Sequence, residues 1–165
     1  MHNILILGGG GFIGKNILKN MSETHRFKNY KKFITSQKLC PSDEYKFNCE
    51  ICNIKLEEVD KIKALIKAKN IKTLVHLVSG MVPSSNENEF KKEKRIVIAP
   101  TNEIFTFAAE NGVKVIFISS GGTIYKNNTE EHKEFEDLYP TCLYGKSKIE
   151  IEKTLRDLYI NSNLR

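Results

Sequence analysis

Ile4-Leu5-Ile6-Leu7-Gly8-Gly9-Gly10-Gly11-Phe12-Ile13-Gly14 is the stretch on which the fold turns. Four consecutive apolar residues that end in glycine read as a short buried strand. The glycines that follow permit a tight turn, and residues 12–20 continue as a helix. A strand, a glycine turn and a helix in that order leave backbone N–H groups at a helix N-terminus, free to meet a pyrophosphate. A side chain at Gly11 would occupy the space a diphosphate needs, and Gly14 would let the helix pack close to the sheet. The alternative is a glycine-rich turn that holds no ligand.

Working outward, apolar strands and helices alternate. Lys32-Phe33-Ile34-Thr35 reads as a second strand and residues 45–48 as a third. In residues 56–69, Val59, Ile62 and Ile66 fall on one helical face. Thr73-Leu74-Val75-His76-Leu77-Val78 is a further β-branched strand. Residues 101–110 form a helix stopped by Asn111-Gly112, and Val113-Lys114-Val115-Ile116-Phe117-Ile118 is another buried strand. Residues 143–159 put Ile151, Leu155, Leu158 and Tyr159 on one stripe of a last helix. Near-continuous apolar strands between helices imply an α/β fold, a doubly wound parallel sheet in three layers. Two polar stretches, 81–88 and 126–140, follow strand ends, where ligands of such sheets bind.

Composition narrows the classes. At 165 residues, 40% hydrophobic and 28% charged, one soluble domain spanning 1–165 is expected. No run is long enough to span a bilayer, and the N-terminus lacks the basic start of a signal peptide, so a cytoplasmic protein without membrane contact is expected. The net charge of +6 is spread along the chain. Its one cluster, Lys91-Lys92-Glu93-Lys94-Arg95, reads as a solvated helix face, so no nucleic-acid partner is expected. Of the four cysteines, Cys49 and Cys52 have a redox or half-zinc spacing. With no second such pair, all four read as free thiols and no metal is expected.

Tyr144-Gly145-Lys146-Ser147-Lys148 places a phenol and an ammonium four residues apart, on one face of a helix. A neighbouring ammonium favours a phenolate and would make Tyr144 a usable general base. A tyrosine packed beside a solvent-facing lysine is the alternative.

Together these features resemble the NAD(P)-dependent epimerase/dehydratase family, the extended short-chain dehydrogenase/reductases that act on nucleotide-sugars. Gly8, Gly11 and Gly14 carry the family's glycine spacing, continued through Phe12 and Ile13. The resemblance implies a Rossmann fold that binds NAD or NADP, with Lys148 also on the nicotinamide ribose. It places Glu50 and Ile51 where an Asp-Ile pair meets adenine, and Leu77, Val78 and Ser79 beneath the cofactor. His76 reads as a packed strand residue. Ser119-Ser120-Gly121-Gly122-Thr123-Ile124-Tyr125 is similar to the segment that holds the catalytic hydroxyl, but aligned on Tyr125 that hydroxyl falls at Gly121. Thr123 is then the expected substitute and Ser120 the next, although Ser119 and Ser120 could equally cap strand-end backbone groups.

Other departures bear on the cofactor. The strand-two Asp that holds an NAD ribose is replaced by Thr35-Ser36-Gln37-Lys38. Ser36 and Lys38 suit a 2′-phosphate better, which tilts the expectation toward NADP. The family's Asn is missing from Ile96-Val97-Ile98-Ala99-Pro100-Thr101.

The resemblance also covers only the family's first half, without its C-terminal substrate domain. A clone that stops early, an interrupted gene and a naturally short relative are all open. Alone, the chain is expected to lack a substrate site and to be inactive. Its last sheet edge should seek cover, for instance in a homodimer. The expected parent activity is hydride transfer on a nucleotide-sugar in surface-polysaccharide synthesis. The alternative is a non-catalytic dinucleotide-binding sensor or regulatory protein.

Overall fold

The computed structural model describes residues 2–39, 41–126, 131–133 and 136–162. Five strands form one parallel sheet: β1 (His2–Leu7), β2 (Tyr30–Thr35), β3 (Glu50–Cys52), β4 (Thr73–His76) and β5 (Lys114–Phe117). The order β3-β2-β1-β4-β5 reverses direction at β1, the switch point of a doubly wound Rossmann-type sheet. The helices are α1 (Phe12–Glu23), α2 (Pro41–Phe47), α3 (Val59–Ala68), α4 (Glu87–Glu93), α5 (Ala99–Glu110), α6 (Gly121–Ile124) and α7 (Leu143–Ser162). A π-helical turn, Lys94–Ile98, joins α4 to α5.

The chain divides into two compact units. One runs through Val78 and adds Phe107–Ile118, and the other holds Ser79–Thr106 and the residues from Ser119 onward. The first contains the whole sheet. Ile4, Ile6, Ile34 and Val75 pack there with Leu18 and Met21 of α1 and Phe47 of α2. Leu5, Ile6 and Leu7 are fully buried, so β1 has no solvent-facing side and reads as an unbroken apolar run. The stop after α5 is as the sequence implies. Gly112 takes φ 65°, while Gly112 N and Val113 N cap the carbonyls of Ala109 and Ala108.

Three sequence expectations are corrected. Residues 45–48 are not a strand: Tyr45 to Phe47 close α2, and Asn48 ends it at φ 47°. Pro41 at the helix start, with Asp43 and Glu44 in the first turn, suits a helix N-terminus, and three residues of alternation cannot outweigh that. The third strand instead occupies Glu50–Cys52. Residues 81–88 are not irregular throughout, because Asn86 and Glu89 form a capping box that starts α4. The run at 91–95 is not wholly solvated: its four basic residues are exposed, but Glu93 is 3% exposed. Among the described residues, no helix is long and apolar enough to cross a membrane.

Candidate functional site

The first unit carries the glycine loop. Gly8 leaves β1 at φ +76°, a conformation that side-chain-bearing residues rarely adopt. Its N–H donates to Thr35 O at 3.1 Å, and a Cβ on it would come within 2.9 Å of Val78 Cγ2. Leu77 N donates to Leu7 O at 3.0 Å, so Leu77 and Val78 lie directly beside the loop. A Cβ on Gly14 would overlap the backbone of Gly9. Gly14 therefore lets α1 close onto the loop itself, where the sequence suggested the sheet.

Gly11 is the N-cap of α1 and supplies no side-chain cap, nor is there an acidic residue in the first turn. The helix-start N–H groups thus lack a side-chain acceptor of the usual kind, and the dipole there favours an anion. Phe12 and Ile13 stand 87% and 48% exposed at this point.

Ser36 also reaches the loop, because a Cβ on Gly10 would overlap its Oγ. That Oγ accepts Lys38 N at 3.0 Å, which shapes the turn after β2. Lys38 itself is exposed. Glu50 is not brought to the loop. It opens β3, level with Phe33, and its carboxylate pairs with Lys69 Nζ at 2.8 Å, just beyond the end of α3. Ile51 sits in mid-strand opposite Ile34. Residues that leave the carboxyl end of β3 begin at Asn53, so the expected adenine pair was placed too early in the chain. His76 is buried in β4 against Phe117, ring centroids 5.8 Å apart.

The second unit carries the chemistry-bearing side chains. Ser147 Oγ donates to Tyr144 O at 2.7 Å within the first turns of α7, and Lys148 Nζ lies 5.3 Å from the Tyr144 ring centroid. The ammonium and the aromatic ring are thus brought together on one face of α7. Lys148 is only 6% exposed, so it is not the solvent-facing lysine of the alternative reading. Burial pushes its pKa below the ordinary value, and the carboxylate of Glu93 pulls it back up.

Residues 120–123 approach α7 closely, since a Cβ on Gly145 would overlap Thr123 O. Thr123 Oγ1 donates to Ser120 O at 3.4 Å, a long bond that its hydroxyl could exchange for another acceptor. Ser120 is the N-cap of α6 but makes no side-chain cap bond. The Ser119 hydroxyl is buried and has no hydrogen-bond partner among the described residues. Neither serine therefore caps in the way the sequence allowed. At Gly121 an added Cβ meets nothing within 4 Å among the described residues. Ser79 Oγ donates to Glu93 Oε1 at 3.4 Å, and Gly80 N lies 3.1 Å from both Glu93 oxygens.

Glu93 was missed by sequence reasoning. Its signal was positional: Phe90, Glu93 and Val97 are spaced by three and four residues, on the buried face of a helix. Cys49, Cys52 and Cys142 are free thiols, and Cys40 lies outside the described residues. Among the described residues, no group of three or more His, Cys, Asp or Glu could hold a metal ion.

Residues 4–163 match the model of the NAD dependent epimerase/dehydratase family. The chain belongs to that family. It is 32% identical over 163 residues to dTDP-4-dehydro-6-deoxyglucose reductase of Escherichia coli, covering 94% of this chain and 50% of that protein. It is 24% identical to the UDP-glucose 4-epimerase of Mus musculus, covering 96% of this chain and 49% of that protein. Among solved structures, the UDP-Glc/GlcNAc 4-epimerase of Campylobacter jejuni is similar with a TM-score of 0.85 at 22% identity, over 99% of this chain and 51% of that one. The UDP-glucose 4-epimerase of Brucella ovis, solved in complex with NAD, has a TM-score of 0.81 at 18% identity, over 100% of this chain and 50% of that one. The chain thus spans about half the length of the curated relatives it matches.

Proposed function

We propose that residues 1–165 are the NAD(P)-binding domain of a cytoplasmic nucleotide-sugar oxidoreductase, working by Tyr/Lys-assisted hydride transfer at a sugar hydroxyl. The observation that carries this is the loop from Gly8 to Gly14, which opens an α1 with no side-chain cap in a family that is NAD-dependent.

In this reading Gly8, Gly11, Phe12, Ile13 and Gly14 hold the pyrophosphate, and Leu77, Val78 and Ser79 line the cofactor. Tyr144 takes the proton from the sugar hydroxyl. Lys148 keeps the phenolate favoured and binds the nicotinamide ribose. Thr123, with Ser120 behind it, polarises the sugar oxygen. Nicotinamide, when bound, would accept the hydride, leaving a ketone on the sugar. Epimerases, dehydratases and reductases share this step, so these residues do not choose among them. The relatives' dTDP- and UDP-sugars suggest the substrate class.

Ser36 and Lys38, with no carboxylate beside them in Thr35-Ser36-Gln37-Lys38, still favour a 2′-phosphate over a free ribose diol. Gly121 supports the second reading, a dinucleotide-binding regulator without catalysis, because the hydroxyl that the family resemblance places there is missing.

Titration calorimetry of the purified chain with NAD and NADP tests the assignment. Binding of either is expected, with NADP tighter by several-fold. Lys38→Glu should erase that preference. A chain that is folded by circular dichroism and takes up neither dinucleotide overturns the proposal.

A further inference from the structure

Glycine is a poor helix former, yet one stands in the first turn of α7, directly after Tyr144. Gly145 is buried, and the main chain of Thr123 rests on it. A Cβ at 145 would overlap Thr123 O and stand 2.9 Å from Thr123 C and 3.3 Å from Thr123 Cβ. The first two atoms belong to the backbone and cannot swing aside as a side chain would. Any side chain at 145 must therefore push the turn at Ser120–Ile124 away from the helix.

The same carbonyl is held from a second direction. Thr141 N donates to Thr123 O at 3.1 Å, and Thr141 Oγ1 reaches it at 3.5 Å. Beside it, Tyr139 N donates to Ile124 O at 2.9 Å. The segment that leads into α7 thus binds the turn through main-chain hydrogen bonds, and Gly145 sets how near the turn can come. At about 100° per residue, positions 144, 145 and 148 fall within about 100° of one another around α7. The turn accordingly lies on the side of the helix that carries Tyr144 and Lys148. Thr123 Cβ, which bears the hydroxyl, is itself one of the three atoms nearest to position 145.

We infer that Gly145 is a positioning residue: its missing side chain seats the Thr123 main chain on α7 and so holds the Thr123 hydroxyl on the Tyr144 side of the helix. The inference rests on the role proposed above for Thr123.

Gly145→Ala tests this, because alanine adds only the overlapping methyl group and would otherwise favour the helix. In the 165-residue chain, the Thr141 amide should exchange about 10-fold faster or more in Gly145→Ala, as its bond to Thr123 O opens. An unchanged rate overturns the inference. In a protein that carries the C-terminal half as well, kcat with a nucleotide-sugar should fall by about 10-fold, with KM and dinucleotide affinity within about twofold of the parent. In a Thr123→Val background the same substitution should cost nothing further, because the hydroxyl it misplaces is already gone. Losses that add overturn the inference, since a general loosening of α7 acts whether or not the hydroxyl is present. Should Gly145→Ala fail to fold, Thr141→Pro removes the N–H donor to Thr123 O without adding bulk at 145. It should lower kcat in the parent and not in Thr123→Val, and any other pattern overturns the inference. Parental turnover in Thr123→Val alone overturns the role proposed for Thr123, and the exchange of Thr141 still decides whether Gly145 seats the turn.

Discussion

The glycine loop of the first unit and the segment from Ser119 to Lys148 of the second face opposite demands. The loop is asked only for backbone: a left-handed turn at Gly8, room at Gly11 and a close approach at Gly14. Each demand is met by the lack of a side chain at one fixed position, so no neighbour can substitute. The second region is asked for functional groups, and those can move. Lys148 Nζ lies 5.3 Å from the Tyr144 ring centroid, and position 121 is a glycine at which an added Cβ meets nothing among the described residues. Hydroxyls lie near it at Ser119, Ser120 and Thr123, and a carboxylate not foreseen from the family pattern is buried at Glu93. Backbone sites tolerate little variation, while side-chain sites can be rebuilt from adjacent residues.

The largest test of this contrast is Tyr144→Phe in a protein that carries the C-terminal half as well. If Tyr144 is the base, turnover of a nucleotide-sugar should fall by about 10²–10⁴-fold with cofactor affinity nearly intact. Near-normal turnover would move the base elsewhere and break the parallel between the two regions.

The loop side is sharpened by a pair of variants. Gly14→Val puts a branched side chain into the backbone of Gly9 and should cost about 3 kcal/mol or more, read as a lower melting temperature. A Cβ on Gly11 meets only Gly8 O, at an ordinary 3.4 Å, so Gly11→Val should melt within a few degrees of the parent. Its dinucleotide affinity should nevertheless drop by about 100-fold. Equal affinity in Gly11→Val would mean the loop is a turn and nothing more.

The same contrast explains what could be read from the sequence. The strands of residues 4–7 and 73–78 were found to within about two residues, because buried parallel strands are unbroken apolar runs. The strand of 113–118 was found as closely, but it is not the buried strand expected: Lys114 and Ile116 are exposed and Val115 and Phe117 only half-buried. The Glu50–Cys52 strand was missed because three residues flanked by polar ones carry no period. Glu50 was then matched to an adenine contact although it lies at the wrong end of that strand. The helix at Glu87–Glu93 has little apolar pattern, but its capping box, Asn86 with Glu89, was there to be seen. Glu93 was hidden by the basic residues around it. Charge runs are read as solvated, and only tertiary packing turns one member inward.

At the next scale down, Gly121→Ser tests whether the second region is a depleted or a rearranged site. Nothing lies within 4 Å of the added Cβ, so the variant should fold unchanged. If Thr123 and Ser120 are imperfect substitutes, a hydroxyl at position 121 should raise turnover of the completed enzyme by about 10-fold. No gain would show that the neighbouring hydroxyls already suffice.

The smallest effect concerns buried ionisable groups, which the two units also treat differently. In the second unit Glu93 and Lys148 are both buried, Glu93 against Gly80 N and Lys148 against the Tyr144 ring. In the first, Lys32 donates to Ser22 Oγ at 3.1 Å and lies close enough to Cys49 for each to influence the other's ionisation, away from the glycine loop. Burial raises the Cys49 thiol from 9.0 to about 11, and Lys32 only partly offsets this. The folded state therefore holds the proton more tightly than the unfolded chain does. The resulting stability is fully present below pH 9 and is lost as pH rises through about 11. Cys49→Ser has no such ionisation. Between pH 8 and 11 the parent should lose more stability than Cys49→Ser in urea unfolding, by about 1 kcal/mol once solvent screening at this half-exposed thiol is allowed for. Parallel curves would mean that the thiolate is accommodated in the fold without cost.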